Sequence, residues 1–201
     1  MTGVQTCALP IYMTNGAIYD SAMTNDLETV GNAQISTSVK KYGTGSMYFD
    51  GAGDNIPTAS SPSITLGTGS WTVEMWIYPS VGTANKGIFG TGTTAGCLEL
   101  FTNGSSGFTY NFYGAGGTTN SASGTMTTGQ WSHIAISRSG SNIYLALNGV
   151  VTSFATNSSD TAPGTIFDLG QAKSDRGWYL DRKSTRLNSS HIPLSRMPSS
   201  A

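Results

Sequence analysis

Residues 70–79, SWTVEMWIYP, set Trp71, Val73, Met75 and Ile77 against Thr72, Glu74, Trp76 and Tyr78. A period of two places the first four on one side of an extended chain and predicts a strand with one face in a core. Pro79 and Gly82 close it. Residues 107–114, GFTYNFYG, alternate in the same way, with Phe108, Tyr110 and Phe112 opposite Thr109, Asn111 and Tyr113. Residues 131–138 and 143–147 make an antiparallel hairpin across 139–142. Asn148 and Gly149 then supply the pair of positive φ angles of a type I′ turn, folding 150–155 back beside 143–147. Shorter runs at 33–36, 46–50, 88–90, 97–102, 166–169 and 178–180 bring the strands to about ten, which predicts two packed antiparallel sheets.

Composition agrees with this pattern. The chain has 201 residues, the size of one sandwich domain, with 26 Gly and only 10% charged residues, so helix is expected to be at most a minor component. A net charge of -1 offers no basic cluster for phosphates, so nucleic acid and anionic membrane surfaces are not expected partners. No apolar run nears the roughly 20 residues of a membrane span, and no membrane insertion is expected. Residues 1–13 lack the basic start and apolar stretch of a secretion signal.

The two ends break from the middle. Residues 182–201 carry Arg182, Lys183, Arg186 and Arg196. Residues 1–11 and 181–191 can also be encoded by opposite strands of one DNA segment. Ile11 as ATC reverses to GAT, Asp181, and the pairing runs in frame through Pro10 with Arg182 and Leu9 with Lys183 to Met1, as a GTG start, with His191. Folding selects no such property. The segments resemble a sequencing-library adapter translated in both orientations, so 1–11 and 181–201 are read as not native and 12–180 as the domain. Within it Cys97 is the sole cysteine and His133 the sole histidine. Setting aside the four basic residues of the tail leaves six of ten, and setting aside Asp181 leaves ten of eleven acidic residues, a net charge of -4.

Four motifs in order, YFDGAGDNI at 48–56, GSWTVEMWIYP at 69–79, GQWSHIAISRSGSNIYLALNGVV at 129–151 and FDLGQA at 167–172, resemble the laminin-G-like, concanavalin-A-like domains. Residues 31–51 look most like members in tailed-phage virion proteins. The resemblance implies an all-β, two-sheet antiparallel jelly-roll sandwich. Family domains continue from a G-Y-I-D segment into a last strand, so the resemblance implies a domain missing that strand. An unpaired edge then predicts a chain that aggregates rather than melting cooperatively above about 50 °C.

For chemistry, a retaining glycoside hydrolase needs two carboxylates about 5 to 5.5 Å apart, and no E-x-D-x-E run delivers them; Glu74 and Glu99 sit singly. His133 has no nucleophile beside it in sequence and reads as a structural histidine. No cofactor is evident. Calcium is possible, because the resemblance implies acidic and carbonyl ligands near the chain ends, with Asp20, Asp50 and Asp54 as candidates and turn formation as their competing role. Sugar binding uses aromatic faces beside amides and carboxylates. Trp76 and Tyr78 with Glu74, Tyr113 with Asn111, and Trp178 and Tyr179 near Asp175 fit that description, with packing as the competing role of Trp76. The triplets beginning at Asn103 and Asn157 match glycosylation acceptors. The expected protein is a non-catalytic carbohydrate-binding or adhesion module of a larger extracellular or virion tail or fibre protein. Its expected partners are a glycan or cell-surface receptor and neighbouring domains. A purely structural or interaction domain is the alternative, and a glycoside hydrolase is less favoured.

Overall fold

A computed structural model describes residues 18, 27–60, 66–80, 85–92, 97–103, 107–112, 120–121, 124–156, 166–172 and 179–190. Among them every regular element is a strand: β1 (Gln34–Ser36), β2 (Ser46–Asp50), β3 (Ile56–Pro57), β4 (Trp71–Pro79), β5 (Gly87–Gly90), β6 (Leu98–Asn103), β7 (Gly107–Phe112), β8 (Asn120–Ser121), β9 (Ser132–Ser139), β10 (Asn142–Leu147), β11 (Val150–Thr156), β12 (Asp168–Leu169) and β13 (Asp181–Ser190). They form a seven-stranded sheet in the order β1-β2-β13-β4-β9-β10-β11 and a six-stranded sheet in the order β3-β12-β5-β6-β7-β8. All pairings are antiparallel. The two sheets pack face to face, as the alternating pattern requires.

Alternation decides what fills the gap between them. Trp71, Val73, Met75 and Ile77 of β4 are buried, and so are Ile134 and Ile136 of β9 and Ile143, Leu145 and Leu147 of β10. Phe49, Ile56, Phe89, Leu98, Leu100, Phe108 and Leu169 join the same core. Phe89 and Phe167 stack at 4.9 Å between ring centroids. Asn148 and Gly149 have φ of 51° and 82°, the sign a type I′ turn demands, and Leu147 pairs with Val150 across them.

The strand pattern differs from the expected one in two places. In the run at 178–180, residue 178 lies outside the described residues and Tyr179 makes an isolated bridge to Gln171 rather than a strand. β3 and β8 are strands of two residues, too short to carry an alternation. Residues 181–190, which carry no apolar alternation, form β13 between β2 and β4 and pair with both. Ladder hydrogen bonds use backbone N–H and C=O groups that every residue except proline possesses, so a segment without apolar alternation can still complete a ladder.

Candidate binding face

The outward positions of β4 set Trp76 directly opposite His133 of β9. Their rings lie 5.1 Å apart, tilted by 48°. His133 is fixed from the end of the neighbouring strand: its backbone N–H donates to Asn148 Oδ1 at 2.9 Å, and Asn148 N–H donates to the His133 carbonyl at 2.8 Å. The Asn-Gly turn therefore holds His133 as well as reversing the chain. His133 Nε2 stands 3.3 Å from Glu74 Oε2, with the two side chains 22% and 39% exposed.

The turn between β1 and β2 lies over this pair. Ser46 Oγ donates to the Val39 carbonyl at 2.6 Å and anchors it. Lys41 Nζ then stands 4.3 Å from the Trp76 ring centroid, and Tyr42 meets Trp76 edge-on at 5.9 Å. Such cation–ring and edge-to-face contacts each contribute about 0.5–1 kcal/mol. Tyr42 itself is 52% exposed. At the other end of β4, Gly129 N–H donates to the Pro79 carbonyl at 2.9 Å, which brings Trp131 to 5.4 Å from Tyr78 at a 59° tilt. Tyr42, Trp76, His133, Tyr78 and Trp131 thus form one aromatic ledge on the outer face of the seven-stranded sheet. Trp76 is its centre, clasped by Lys41 and Tyr42, so the packing role weighed for it is present together with its place in the ledge.

The outer face of the six-stranded sheet is built differently. Register runs from Pro57 to Asp168, to Gly90, to Glu99, to Asn111, across five strands. Leu98 and Leu100 are in the core, so Glu99 between them faces away from it, yet Glu99 is fully buried. Residues 171–172 lie against the neighbouring Gly90: a Cβ there would lie 2.7 Å from the Ala172 carbonyl carbon and would overlap its oxygen. Asn55 Nδ2 donates to both carboxylate oxygens of Asp168, at 2.9 and 3.0 Å. Burial nevertheless pushes the Asp168 carboxyl up to about 6, against the lowering by Asn55.

Of the calcium candidates, Asp54 is fully buried and accepts the N–H groups of Asn32 and Asp50. Asp50 accepts from Ala52 N–H at 2.8 Å and from Asn32 Nδ2 at 3.3 Å. The Ala52 N–H, and after it Asn32, holds the Asp50 carboxyl below the usual carboxylate range. These oxygens organise the turn that joins β2 to β3. Among the described residues no group of three or more His, Cys, Asp or Glu is placed to hold a metal ion. Asp20, Tyr113, Asp175 and Trp178 lie outside the described residues.

The structure therefore brings Trp76, Tyr78 and Glu74 together, and separates them from Asn111, on the other sheet, and from Tyr179 at its bridge to Gln171. Sequence reasoning missed Lys41, Tyr42 and Trp131, and took His133 for a structural residue. Residues two apart on a strand share a face, so 131 and 133 lie on one side at the start of β9, but the pairing of β4 with β9 is a long-range fact that no local pattern carries.

Residues 50–181 match the family described as the Concanavalin A-like lectin/glucanases superfamily, in its laminin G group. The fold is similar to the binding domain of Paraclostridial Mosquitocidal Protein 1, with a TM-score of 0.65, 12% identity, and coverage of 84% of this chain and 44% of that one. It is similar to domains LG4-5 of the mouse laminin alpha1 chain, with a TM-score of 0.60, 14% identity, and coverage of 72% and 40%. Domain 4 of AbnA, an extracellular arabinanase from Geobacillus stearothermophilus solved with arabinotriose, gives a TM-score of 0.57 at 16% identity, with 80% of each chain covered. The chain spans less than half the length of the first two. No curated protein matches the sequence.

Proposed function

Because the chain belongs to the concanavalin A-like lectin/glucanases superfamily, we propose that it is a non-catalytic glycan-binding or adhesion module carried by a larger extracellular or virion protein. The aromatic ledge supports this reading most directly. Tyr42, Tyr78 and Trp131 border Trp76 with half-buried or exposed rings, and Glu74, His133 and Lys41 supply hydrogen-bonding groups beside them. Stacking on the apolar faces of sugars while neighbouring polar groups bond hydroxyls is what such a surface does well. The arabinotriose held by the AbnA domain is of the same ligand class. No helix among the described residues is long and apolar enough to cross a membrane.

A hydrolytic reading would draw on Asp168 and Glu99, two strands apart on the six-stranded sheet. Glu99 is wholly buried and both Asp168 carboxylate oxygens accept from Asn55, which weighs against this reading. A structural or interaction domain is the competing reading, favoured by the clasp that Lys41 and Tyr42 place on Trp76. Residues 1–11 and 181–201 belong to the DNA segment described above in this reading, and 12–180 to the module. A glycan array probed with the chain at high valency separates the first reading from the second. Binding that is lost in Trp131→Ala supports the module, and a folded chain that binds no glycan supports the structural domain.

A further inference from the structure

The walls of the place filled by β13 disagree with the filling. Arg182 is in register with Phe49 on β2 and Pro79 on β4, Ser184 with Met47 and Ile77, Leu187 with Met75, and Ser189 with Val73. Phe49, Ile77, Met75 and Val73 are at most 2% exposed, all in the core. Residues directly opposite one another share a face of the sheet. The β13 positions in register with core residues are thus 182, 184, 187 and 189, which the sequence fills with Arg, Ser, Leu and Ser, where β10 has Ile143, Leu145 and Leu147 and the centre of β9 has Ile134 and Ile136. The ladder with β4 also shifts between Ser184 and Arg186. Without that shift Arg186 would stand opposite Met75; with it, Leu187 does.

We infer that the slot between β2 and β4 is a strand-acceptor site, which takes up an extended peptide with apolar residues at alternate positions in exchange for residues 181–190. The ladder hydrogen bonds are the same for either occupant, so the four core-facing positions decide between them. Val or Ile there buries aliphatic surface against Phe49, Ile77, Met75 and Val73. The positions in register with Tyr48, Tyr78 and Glu74 sit on the outer face and suit Thr or Lys. The resident strand has the advantage of its tether to Leu180, which is fully buried and donates its N–H to the Gly170 carbonyl at 2.7 Å. A tether acts as a local concentration of about millimolar. Each aliphatic side chain buried in place of a polar one favours the incoming strand by roughly 10- to 100-fold, and three such positions exceed that advantage.

The test uses the whole chain and two fluorescein-labelled ten-residue peptides of one composition. One carries Val at the positions of 182, 184, 187 and 189 with Thr and Lys elsewhere, and the other has this pattern displaced by one residue. The first is expected to raise the anisotropy saturably, and the second to bind at least about 100-fold more weakly, because a one-residue slip moves every apolar side chain to the outer face. A chain carrying Arg182→Val, Ser184→Ile and Ser189→Val is expected to melt higher and to take up the first peptide at least about 10-fold less well, its own strand now fitting the slot. Equal binding of both peptides, absence of binding by the first up to about 1 mM, or unchanged uptake by the triple variant overturns the inference.

Discussion

On the seven-stranded sheet, Trp76, Tyr78 and His133 face away from the core and stay half-buried, within reach of solvent. On the six-stranded sheet, Glu99 and Thr109 also face away from the core, and both are buried. The strands on the two sides follow the same alternation, so the difference lies in what lies over them. Over β4 and β9 is a turn that contributes one ammonium and one tyrosine ring and leaves much of the surface open. Over β5 and β6 is backbone: residues 171–172 sit against Gly90, held by Gly170 N–H donating to the Ile88 carbonyl at 2.8 Å and by the bridge of Gln171 to Tyr179. One face is built to be presented, the other to be sealed.

Breaking the seal gives the largest expected effect. Gly90→Ala forces a Cβ into the Ala172 carbonyl, and the obstacle is backbone rather than the end of a flexible side chain. A loss of about 3 kcal/mol or more is expected in denaturant unfolding. Gly69→Ala, where a Cβ meets nothing within 4 Å, is the control and should stay within about 0.5 kcal/mol of the parent. A parent-like Gly90→Ala would mean that the cover is not tight.

The sealed face also sets a pH dependence. Asp168 keeps its proton in the folded chain up to about 6 but ionises near 3.8 when unfolded. Folding is thus favoured most below about pH 4, and this contribution is lost as pH rises through 6. The difference corresponds to roughly 3 kcal/mol, and water at the outer edge of the carboxyl leaves about 1–2 kcal/mol of it. Asp168→Asn keeps an acceptor for Asn55 and removes the charge. It should raise the melting temperature at pH 7.5 by about 2–6 °C and flatten the fall in stability between pH 4 and 7. A lower melting temperature would show instead that the ionised carboxylate is the favoured partner of Asn55.

How far this contrast could be read from the sequence depends on its range. The alternation of 70–79 placed Trp71, Val73, Met75 and Ile77 in the core, and Asn148 with Gly149 located a turn with both φ angles positive. Each is a signal carried within a few residues. The neighbour of Trp76 on β9, the Lys41 that lies over it, and the row from Asp168 to Asn111 are set by pairings between residues far apart, and no period in the chain encodes them. Glu99 shows the same limit from the other side. A lone carboxylate in a strand reads as exposed, whereas the structure buries it beside Gly90, against which residues 171–172 lie. β13 has no such local signal: its residues lack apolar alternation, and its ladder needs only backbone.

On the presented face the effects fall on binding rather than on folding. For a chain that binds a glycan on the array, Trp131→Ala and Tyr42→Ala should each weaken that glycan by about 10-fold or more, since a lost aromatic stack is worth about 1–2 kcal/mol. Both residues lie at the rim, and the melting temperature should move by less than about 3 °C. Trp76→Ala is expected to reduce binding and stability together, because Lys41, Tyr42 and His133 all rest on that ring. If the rim variants unfold the chain while binding persists, the ledge is packing and the sugar lies elsewhere.

The smallest expected effect separates the parts of the ledge itself. Glu74 and His133 form a partly exposed pair at 3.3 Å, and such pairs contribute about 0–1 kcal/mol. Glu74→Gln keeps the shape and one acceptor oxygen, so its melting temperature should stay within about 2 °C of the parent at pH 7.5. Binding should respond differently according to what the ledge holds. Removing the carboxylate beside His133 makes the surface more positive, so an acidic glycan should bind tighter in Glu74→Gln, while a neutral glycan whose hydroxyl is bonded by Glu74 should bind more weakly. Titrating one acidic and one neutral glycan against parent and variant therefore reads the sign of the ligand's charge from a substitution that barely touches the fold.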